Sequence, residues 1–272
     1  MLQRTGNGKS SKRRKKDKRI AINAWFFLFI IAVILLFLIG RPLIKNHVTE
    51  YSVGDVIPKE AVGDLYIDIS HHNNVGEIKW DSLMVMTDAK RRTVQDISVA
   101  KDIRPLAGVI IKATEGAGMK DKMFKKYWKD SSKKGLVRGA YHFFRSSKDG
   151  KEQAKTYIRT VGNIPHNDLA PIIDIETIHK GCTKELLNKR VREWIQTVEK
   201  HYGRKPIIYT YDSFAKDYLD KDILEDYPVW IAHYKTERPV LQKWMMWQFS
   251  ESALVYGFPG KVDLSVMRWD NN

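Results

Sequence analysis

The chain has 272 residues, with 47 Lys and Arg against 32 Asp and Glu, which gives a formal net charge of +15. Its 17 Gly and 9 Pro are too few for a collagen-like or low-complexity chain, and an aromatic content of 11% is too high for a disordered one. A basic excess of this size ordinarily indicates nucleic acid or an anionic surface as partner. Residues 1–19 alone carry +8, however, and residues 20–272 carry only +7. The sequence therefore predicts a basic tail attached to a folded, mildly basic domain.

An apolar run follows the tail directly. Residues 20–39 contain one polar side chain, Asn23, and no charged one. At ~1.5 Å per residue a helix over this run measures ~30 Å, the thickness of a bilayer core. A buried core helix is a poor alternative because every face is apolar. A cleaved signal peptide is the stronger alternative, but the run exceeds the ~7–15 residues of a signal core, and no small-x-small cleavage pattern follows it. We predict an uncleaved transmembrane anchor over residues 20–40.

Charge asymmetry predicts the orientation of this anchor. Nine Lys and Arg precede the run, whereas only Arg41, Lys45 and Lys59 occupy the first 20 residues after it. The positive-inside bias places the tail in the cytoplasm and the folded domain outside the cytoplasmic membrane, in the periplasm or the extracellular space. The tail then sets topology and contacts anionic lipid headgroups. No base-stacking aromatic residue is interleaved with it, so nucleic acid is not an expected partner. The lone Cys182 cannot form an intrachain disulfide.

The exported part divides into a linker and one domain. Residues 41–62 are weakly patterned and include Pro42, Gly54 and Pro58, which predicts a linker. Residues 63–270 suffice for one sizeable domain. Eight short apolar runs recur along it, several of them continuous, as in strands buried on both faces. They are Leu65 to Ile69, Val109 to Ala113, Val137 to Phe144, Ala170 to Ile175, Pro206 to Tyr211, Val229 to Ala232, Trp244 to Phe249 and Val262 to Met267.

Helical patterns separate the earlier strands. They cover residues 121–134, 151–161 and 183–201, the last with Thr183 as a candidate N-cap and Gly203 as a C-terminal stop. Strands that alternate with helices predict a parallel sheet, and eight strands favour closure into an irregular barrel of the (β/α)8 type. The last three strands are too close in sequence for full helices, so we expect five helical crossovers at most. The charged stretch 81–105 is predicted to be a surface excursion or an extra helix and hairpin.

Carboxylates mark the predicted strand ends. In a parallel barrel the active residues gather at the C-terminal ends of the strands. Asp174 and Glu176 lie two residues apart, so on a strand both point to one side. Two carboxylates this close raise the pKa of at least one, which supplies the acid and the anion that glycoside hydrolysis requires. Alone, such a pair more often caps a following helix or forms a surface ion pair. Asp68 at the end of the first strand and Asp263 at the start of the last strengthen the catalytic interpretation.

Aromatic and amide side chains occur at the same strand ends. Aromatic rings stack against the apolar faces of sugars, while amides and acids bind hydroxyls. Each single aromatic residue is also compatible with a place in the core. The set consists of Tyr141, Tyr209, Tyr234, Trp247 and Gln248.

Other kinds of chemistry lack their motifs. His71, His72, His142 and His233 do not follow the spacing of metal ligands, so no metal is expected. The sequence has no Gly-rich phosphate loop and no Gly-x-Ser-x-Gly elbow.

The ordered set of motifs resembles glycoside hydrolase family 25, the lysozymes also called Chalaropsis-type or N,O-diacetylmuramidases. The resemblance extends from residue 64 to about residue 270 in collinear order. Its segments include Asp68-Ile69-Ser70-His71, Lys112-Ala113-Thr114-Glu115-Gly116, Gly139-Ala140-Tyr141-His142-Phe143, Asp174-Ile175-Glu176, Trp230-Ile231-Ala232-His233-Tyr234, Trp247-Gln248-Phe249 and Val262-Asp263.

The resemblance implies an irregular (β/α)5β3 barrel that cleaves the β-1,4 bond between N-acetylmuramic acid and N-acetylglucosamine in peptidoglycan. It implies that Glu176 is the general acid, that Asp174 orients or stabilises the reacting centre, and that Asp68 and Asp263 complete an acidic floor. Both a covalent intermediate and assistance by the substrate's 2-acetamido group remain open. Assistance is favoured because Asp174 lies beside Glu176 on one strand. The resemblance also implies that the substrate groove is lined by Tyr141, Tyr209, Tyr234, Trp247 and Gln248.

Two alternatives belong to other functional classes. The first is a catalytically silent, membrane-tethered peptidoglycan-binding module, which would have no need to keep Glu176. The second is another barrel glycosidase acting on chitin-like substrates, but the denser acidic motif of such enzymes would need Asp at two positions occupied by Ala170 and Ile172. We expect a monomer that needs no cofactor.

Overall fold

A computed structural model describes residues 51–73, 76–234, 238–241 and 243–268. The predicted basic tail and transmembrane anchor lie outside this range. In the described residues no helix is both long enough and apolar enough to cross a membrane.

The described chain forms two sheets and a set of helices. The strands are β1 (Val53–Val56), β2 (Asp64–Ile69), β3 (Met84–Thr87), β4 (Arg92–Val94), β5 (Asp102–Pro105), β6 (Gly108–Glu115), β7 (Met119–Lys120), β8 (Val137–Phe143), β9 (Ile172–Asp174), β10 (Ile207–Tyr211), β11 (Val229–Ala232), β12 (Met246–Leu254) and β13 (Lys261–Met267). The α-helices are α1 (Phe124–Ser132), α2 (Gly150–Val161), α3 (Lys184–Tyr202), α4 (Asp212–Tyr218) and α5 (Lys221–Asp226).

The larger sheet closes into a barrel. Its order runs β2-β13-β12-β11-β10-β9-β8-β6-β7, and a further pairing of β2 with β6 closes the first eight strands into a ring. Neighbouring strands are parallel from β2 through β6 to β12, whereas β13 is antiparallel to both β12 and β2. Each of the eight apolar runs supplies one of these strands. The predicted irregular barrel is therefore confirmed.

The helices cover the outside of the barrel. The three predicted helices correspond to α1, α2 and α3, and α4 and α5 together link β10 to β11. Both predicted ends of α3 are confirmed: the Thr183 hydroxyl accepts a hydrogen bond from the Leu186 amide at 3.2 Å, and Gly203 adopts a left-handed conformation with φ of 67°. Buried Val191 and Trp194 of α3 belong to the apolar layer between helices and barrel.

The first crossover of the barrel, from β2 to β6, contributes three strands to a small antiparallel sheet, the first crossover sheet, and β1 supplies the fourth strand. Its order is β1-β4-β3-β5, so the stretch 81–105, predicted as a surface excursion or an extra helix and hairpin, contains three strands and no α-helix. Charged residues of this stretch form the β3–β4 turn, where the Asp88 carboxylate accepts hydrogen bonds from the amides of Lys90 and Arg92 at 2.9 Å each. Asp side chains commonly stabilise turns through such local bonds.

The linker prediction is wrong for its C-terminal half. Residues 53–56 form β1, which pairs antiparallel with β4, and Ile57 and Ala61 are buried in the core. This segment lacks a clear pattern of its own because its pairing partners are distant in sequence. Residues 41–50 lie outside the described part of the chain.

Alternation along the barrel strands creates two cores. Residues such as Ile67, Ile111 and Ile173 point outward to the helices, while Tyr66, Ile110, Ile172 and Met246 fill the lower interior of the barrel. Because side chains alternate between the two faces of a strand, the residue two positions further along each strand also points inward, one layer higher in the barrel. Those positions are polar: Asp68, Lys112, Asp174 and Gln248. The barrel interior thus has an apolar lower part, the apolar plug, with a polar layer of side chains above it.

Candidate active site

A cleft of about 420 Å³ opens above the apolar plug, and all four predicted acids line it. Asp68 lies near the end of β2, and Asp174 is the last residue of β9. Asp263 lies near the start of β13. Because β13 runs antiparallel to β2, Asp263 lies directly opposite Asp68 in the register of the two strands. Glu176 follows β9, where the Ile175 amide still donates to the Tyr209 carbonyl at 2.9 Å and continues the strand's alternation.

Asp68 and Asp263 form one carboxylate pair. Burial, and then the neighbouring Asp263, raise the pKa of Asp68 well above its usual range. Burial raises the pKa of Asp263 to about 6. The Gln248 amide donates to Asp68 at 2.8 Å and partly offsets the penalty of burying that carboxylate. This pair therefore retains a proton at a higher pH than isolated carboxyl groups would.

Asp174 and Glu176 form the second pair. Burial, and then Glu176, raise the pKa of Asp174 well above its usual range. One carboxylate oxygen of Asp174 is buried and has no hydrogen-bond partner among the described residues. Burial also raises the pKa of Glu176, although Lys112 and Arg145 oppose this effect. Glu176 is only partly buried, whereas Asp174 is 6% exposed. The pair thus offers an accessible proton donor above a buried carboxyl group, as general acid catalysis requires.

A tyrosine–glutamine network holds the side chain of Gln248. Its amide oxygen accepts hydrogen bonds from the hydroxyls of Tyr209 at 2.8 Å and Tyr234 at 2.7 Å, and its amide nitrogen donates to Asp68. The network fixes which end of the amide points at the acid. Tyr141 also lines the cleft, and burial with the nearby carboxylates raises its pKa, so its hydroxyl stays protonated. Four of the five predicted binding residues therefore lie in the cleft.

Trp247 does not line the groove, contrary to the sequence prediction. Its side chain is fully buried, its indole N–H donates to the His233 carbonyl at 2.7 Å, and its ring packs against Trp244 and Phe249. Adjacent residues of a strand face opposite sides. Since Gln248 points into the cleft, Trp247 points into the helix-facing core.

A charged cluster that the sequence prediction missed forms one wall of the cleft. The Lys112 ammonium donates to Glu115 at 2.7 Å, and Arg145 donates to the other oxygen of Glu115 at 2.8 Å. Both cations lie over the ring of Phe143. Burial alone would raise the pKa of Glu115, but the bonds from Lys112 and Arg145 outweigh it and lower the pKa. Two cations against one anion leave this wall net positive beside Asp174 and Glu176.

One sequence signal could have revealed this cluster. Lys112 interrupts the apolar run from Val109 to Ala113 within a strand that is buried along nearly its whole length. A charged residue at such a position is seldom buried without a partner or a function. The other lining residues that received no role from the sequence are Ser70, His72, Phe143, Trp230 and Glu251.

The histidines considered as metal ligands do not converge. His71 pairs with Asp121 at 2.7 Å, His142 with Thr114 at 2.7 Å and His233 with Asp212 at 2.6 Å. Within the residues that the structure describes, no group of three or more His, Cys, Asp or Glu could hold a metal ion. The absence of a metal requirement stays a prediction.

A largely parallel barrel with paired carboxylates, tyrosines and an amide at its C-terminal end has the architecture of a barrel glycosidase. The model of the family described as "Glycosyl hydrolases family 25" matches residues 67–258. The chain belongs to this family.

Individual relatives agree with this assignment. The chain is 40% identical to the uncharacterised protein YegX of Escherichia coli K12 over 158 residues, 57% of either chain. It is 31% identical to the autolytic lysozyme of Clostridium acetobutylicum, over 57% of this chain and 47% of the relative. The structure of a family 25 glycosyl hydrolase from Bacillus anthracis superposes with a TM-score of 0.64 at 26% identity, covering 82% of this chain and 96% of that one. The chain spans about half the length of the first two relatives.

Proposed function

We propose that the chain is a muramidase that hydrolyses the β-1,4 bond between N-acetylmuramic acid and N-acetylglucosamine in bacterial peptidoglycan. The observation that carries the proposal is the pairing of accessible Glu176 with buried Asp174 at the floor of one cleft. Family membership and the likeness to a protein named autolytic lysozyme support the same substrate. We extend the proposal to the N,O-diacetylmuramidase subtype, which acts on acetylated glycan.

In the proposed reaction Glu176 is the general acid. Its proton passes to the glycosidic oxygen as the bond to the anomeric carbon breaks. The carbonyl oxygen of the substrate's own 2-acetamido group attacks that carbon and closes a cyclic intermediate. Glu176, now ionised, then removes a proton from the water that opens the ring, and it regains its acidic form.

Asp174 orients the acetamido group in this scheme. Its buried carboxyl oxygen without a hydrogen-bond partner is a suitable acceptor for the acetamido N–H. The deep position of Asp174 below Glu176 favours this role over direct attack on the sugar. Asp68, which accepts a hydrogen bond from Gln248, and Asp263 complete the acidic floor. Tyr141, Tyr209 and Tyr234 contact the sugar rings.

We further propose that the barrel lies at the outer surface of the cytoplasmic membrane. The apolar run over residues 20–40 would anchor a monomer with its N-terminus in the cytoplasm, and the basic tail supports this orientation. Protease added to intact spheroplasts should degrade the barrel in the full-length protein. Protection of the barrel until the membrane is opened would contradict this topology.

The reaction is tested with the full chain, purified in mild detergent and incubated with peptidoglycan. New reducing ends are labelled by borohydride reduction and identified after acid hydrolysis. A muramidase creates reducing N-acetylmuramic acid. Reducing N-acetylglucosamine would instead identify a glucosaminidase, and binding without any new ends would favour the silent binding module.

A further inference from the structure

A second cavity adjoins the catalytic cleft. It measures about 390 Å³, and Tyr234 and Glu251 line both spaces. The two cavities thus meet along one wall. The remaining lining comes from the segment around β1 and from β12: Asp55, Val56, Pro58, Phe249 and Ser252.

Strand β1 reaches this position because Gly54 permits a close approach to β12. A Cβ atom on Gly54 would lie 2.7 Å from both the Leu254 amide nitrogen and the Ser252 carbonyl oxygen, closer than packed atoms allow. The next residue fastens the contact: the Asp55 carboxylate accepts hydrogen bonds from the hydroxyls of Ser250 at 2.8 Å and Ser252 at 3.0 Å. The cavity is therefore bounded by a fixed wall.

The surfaces of the cavity combine apolar faces with hydrogen-bonding groups. Tyr234 is 51% exposed, yet its hydroxyl is bound to Gln248, so the ring keeps a set orientation at the junction. Val56 is 40% exposed and offers an apolar surface to the same cavity. Ser252 and Glu251 add polar groups to the lining. Pyranose rings present apolar faces and a rim of hydroxyls, which this mixture matches.

We propose that the second cavity is an additional sugar subsite, occupied by the part of the glycan strand that continues past the catalytic cleft. The inference rests on the proposed function and deepens it, because it makes glycan length a determinant of affinity. The first crossover sheet then takes part in substrate binding through β1. Tyr234 is the shared platform from which the strand passes from one cavity to the other.

Binding of two glycan lengths tests this subsite. The probes are a tetrasaccharide and an octasaccharide of alternating N-acetylglucosamine and N-acetylmuramic acid, titrated calorimetrically into the full chain carrying Glu176→Gln, which prevents turnover. An additional stacked sugar should strengthen binding of the octasaccharide roughly tenfold over the tetrasaccharide. In the same background Val56→Arg fills the cavity with a long charged side chain and should bring that ratio close to one.

Val53→Arg is the matched control. Val53 lies on the same strand, has a similar exposure of 36% and does not line the cavity, so the length preference should persist. Equal affinity for both lengths in the parent protein overturns the subsite, as does an unchanged ratio in Val56→Arg. Failure to bind either glycan overturns the subsite and the proposed function together. A persistent length preference without hydrolysis of the octasaccharide by the unmodified chain supports the subsite and refutes only the proposed reaction.

Discussion

The two carboxyl groups Glu176 and Asp174 differ in proposed function because their surroundings differ. Glu176 and Asp174 are both carboxyl groups with raised pKa values, but only Glu176 is accessible. Lys112 and Arg145 moderate the effect of burial on both acids while Glu115 holds these cations in place. The charged wall is thus suited to set the pH range over which Glu176 remains a proton donor.

Replacement of Lys112 by Met should move the pH profile upward. Without this cation the pKa values of Glu176 and Asp174 both rise, so the alkaline limb of the kcat–pH profile should shift to higher pH. The profile is measured from the rate of reducing-end formation. Lys126→Met, on the exposed surface of α1, is the control and should leave both limbs in place. A downward shift in the Lys112 variant would refute this role.

Replacement of Trp247 by Phe should affect stability more than substrate binding. The indole is buried away from the cleft and donates a hydrogen bond to the His233 carbonyl. Loss of ring volume and of this bond should lower the free energy of unfolding by about 1–3 kcal/mol. Urea unfolding measures the loss, and KM for peptidoglycan should stay within about twofold of the parent value. A large rise in KM with normal stability would contradict the core position and indicate that Trp247 contacts the substrate.

At the scale of elements, strand period and distant pairing determine what the sequence could predict. The eight barrel strands were predictable because their apolar runs are local. The convergence of the four acids in one cleft was predictable because the C-terminal ends of parallel barrel strands meet at the same end of the barrel. Trp247 was misassigned because neighbouring positions of β12 differ only in the face they present, and β1 was missed because its pairing with β4 and packing on β12 are non-local.

Gly54→Ala tests the packing of β1 on β12. The added Cβ would collide with backbone atoms of β12, so β1 must move. We expect a loss of about 1–3 kcal/mol in the free energy of unfolding, measured by urea denaturation. Gly118→Ala is a fitting control because nothing lies within 4 Å of its added Cβ. Equal stability of the two variants would show that the close approach of β1 is unimportant.

At the scale of the whole molecule, the active site costs stability. A carboxyl group whose pKa is higher in the folded than in the unfolded chain stabilises the fold only while it is protonated. Its contribution is fully present below the unfolded pKa and is lost as the pH rises through the folded pKa. Asp68, Asp174, Glu176 and Asp263 all have raised values, so the four acids together oppose folding at neutral pH.

Asp263→Asn should therefore stabilise the protein at neutral pH. Its folded pKa of about 6 exceeds the value of 3.8 for an unperturbed Asp. The variant should gain on the order of 1–3 kcal/mol at about pH 7. The gain should fade as the pH falls well below 3.8, where Asp263 is protonated in both the folded and the unfolded chain. Urea unfolding across this range measures the difference. A gain that persists or grows at acidic pH would contradict this interpretation.

The central claim, that Glu176 protonates the glycosidic oxygen of peptidoglycan, is tested most directly by the rate at which new reducing N-acetylmuramic acid ends form. We predict that Glu176→Gln in the full chain lowers this rate by a factor of ~100 or more while peptidoglycan binding persists. Glu225→Gln, at an exposed position of α5, should keep the parent rate. Equal rates for the parent chain and the Glu176 variant would contradict the account.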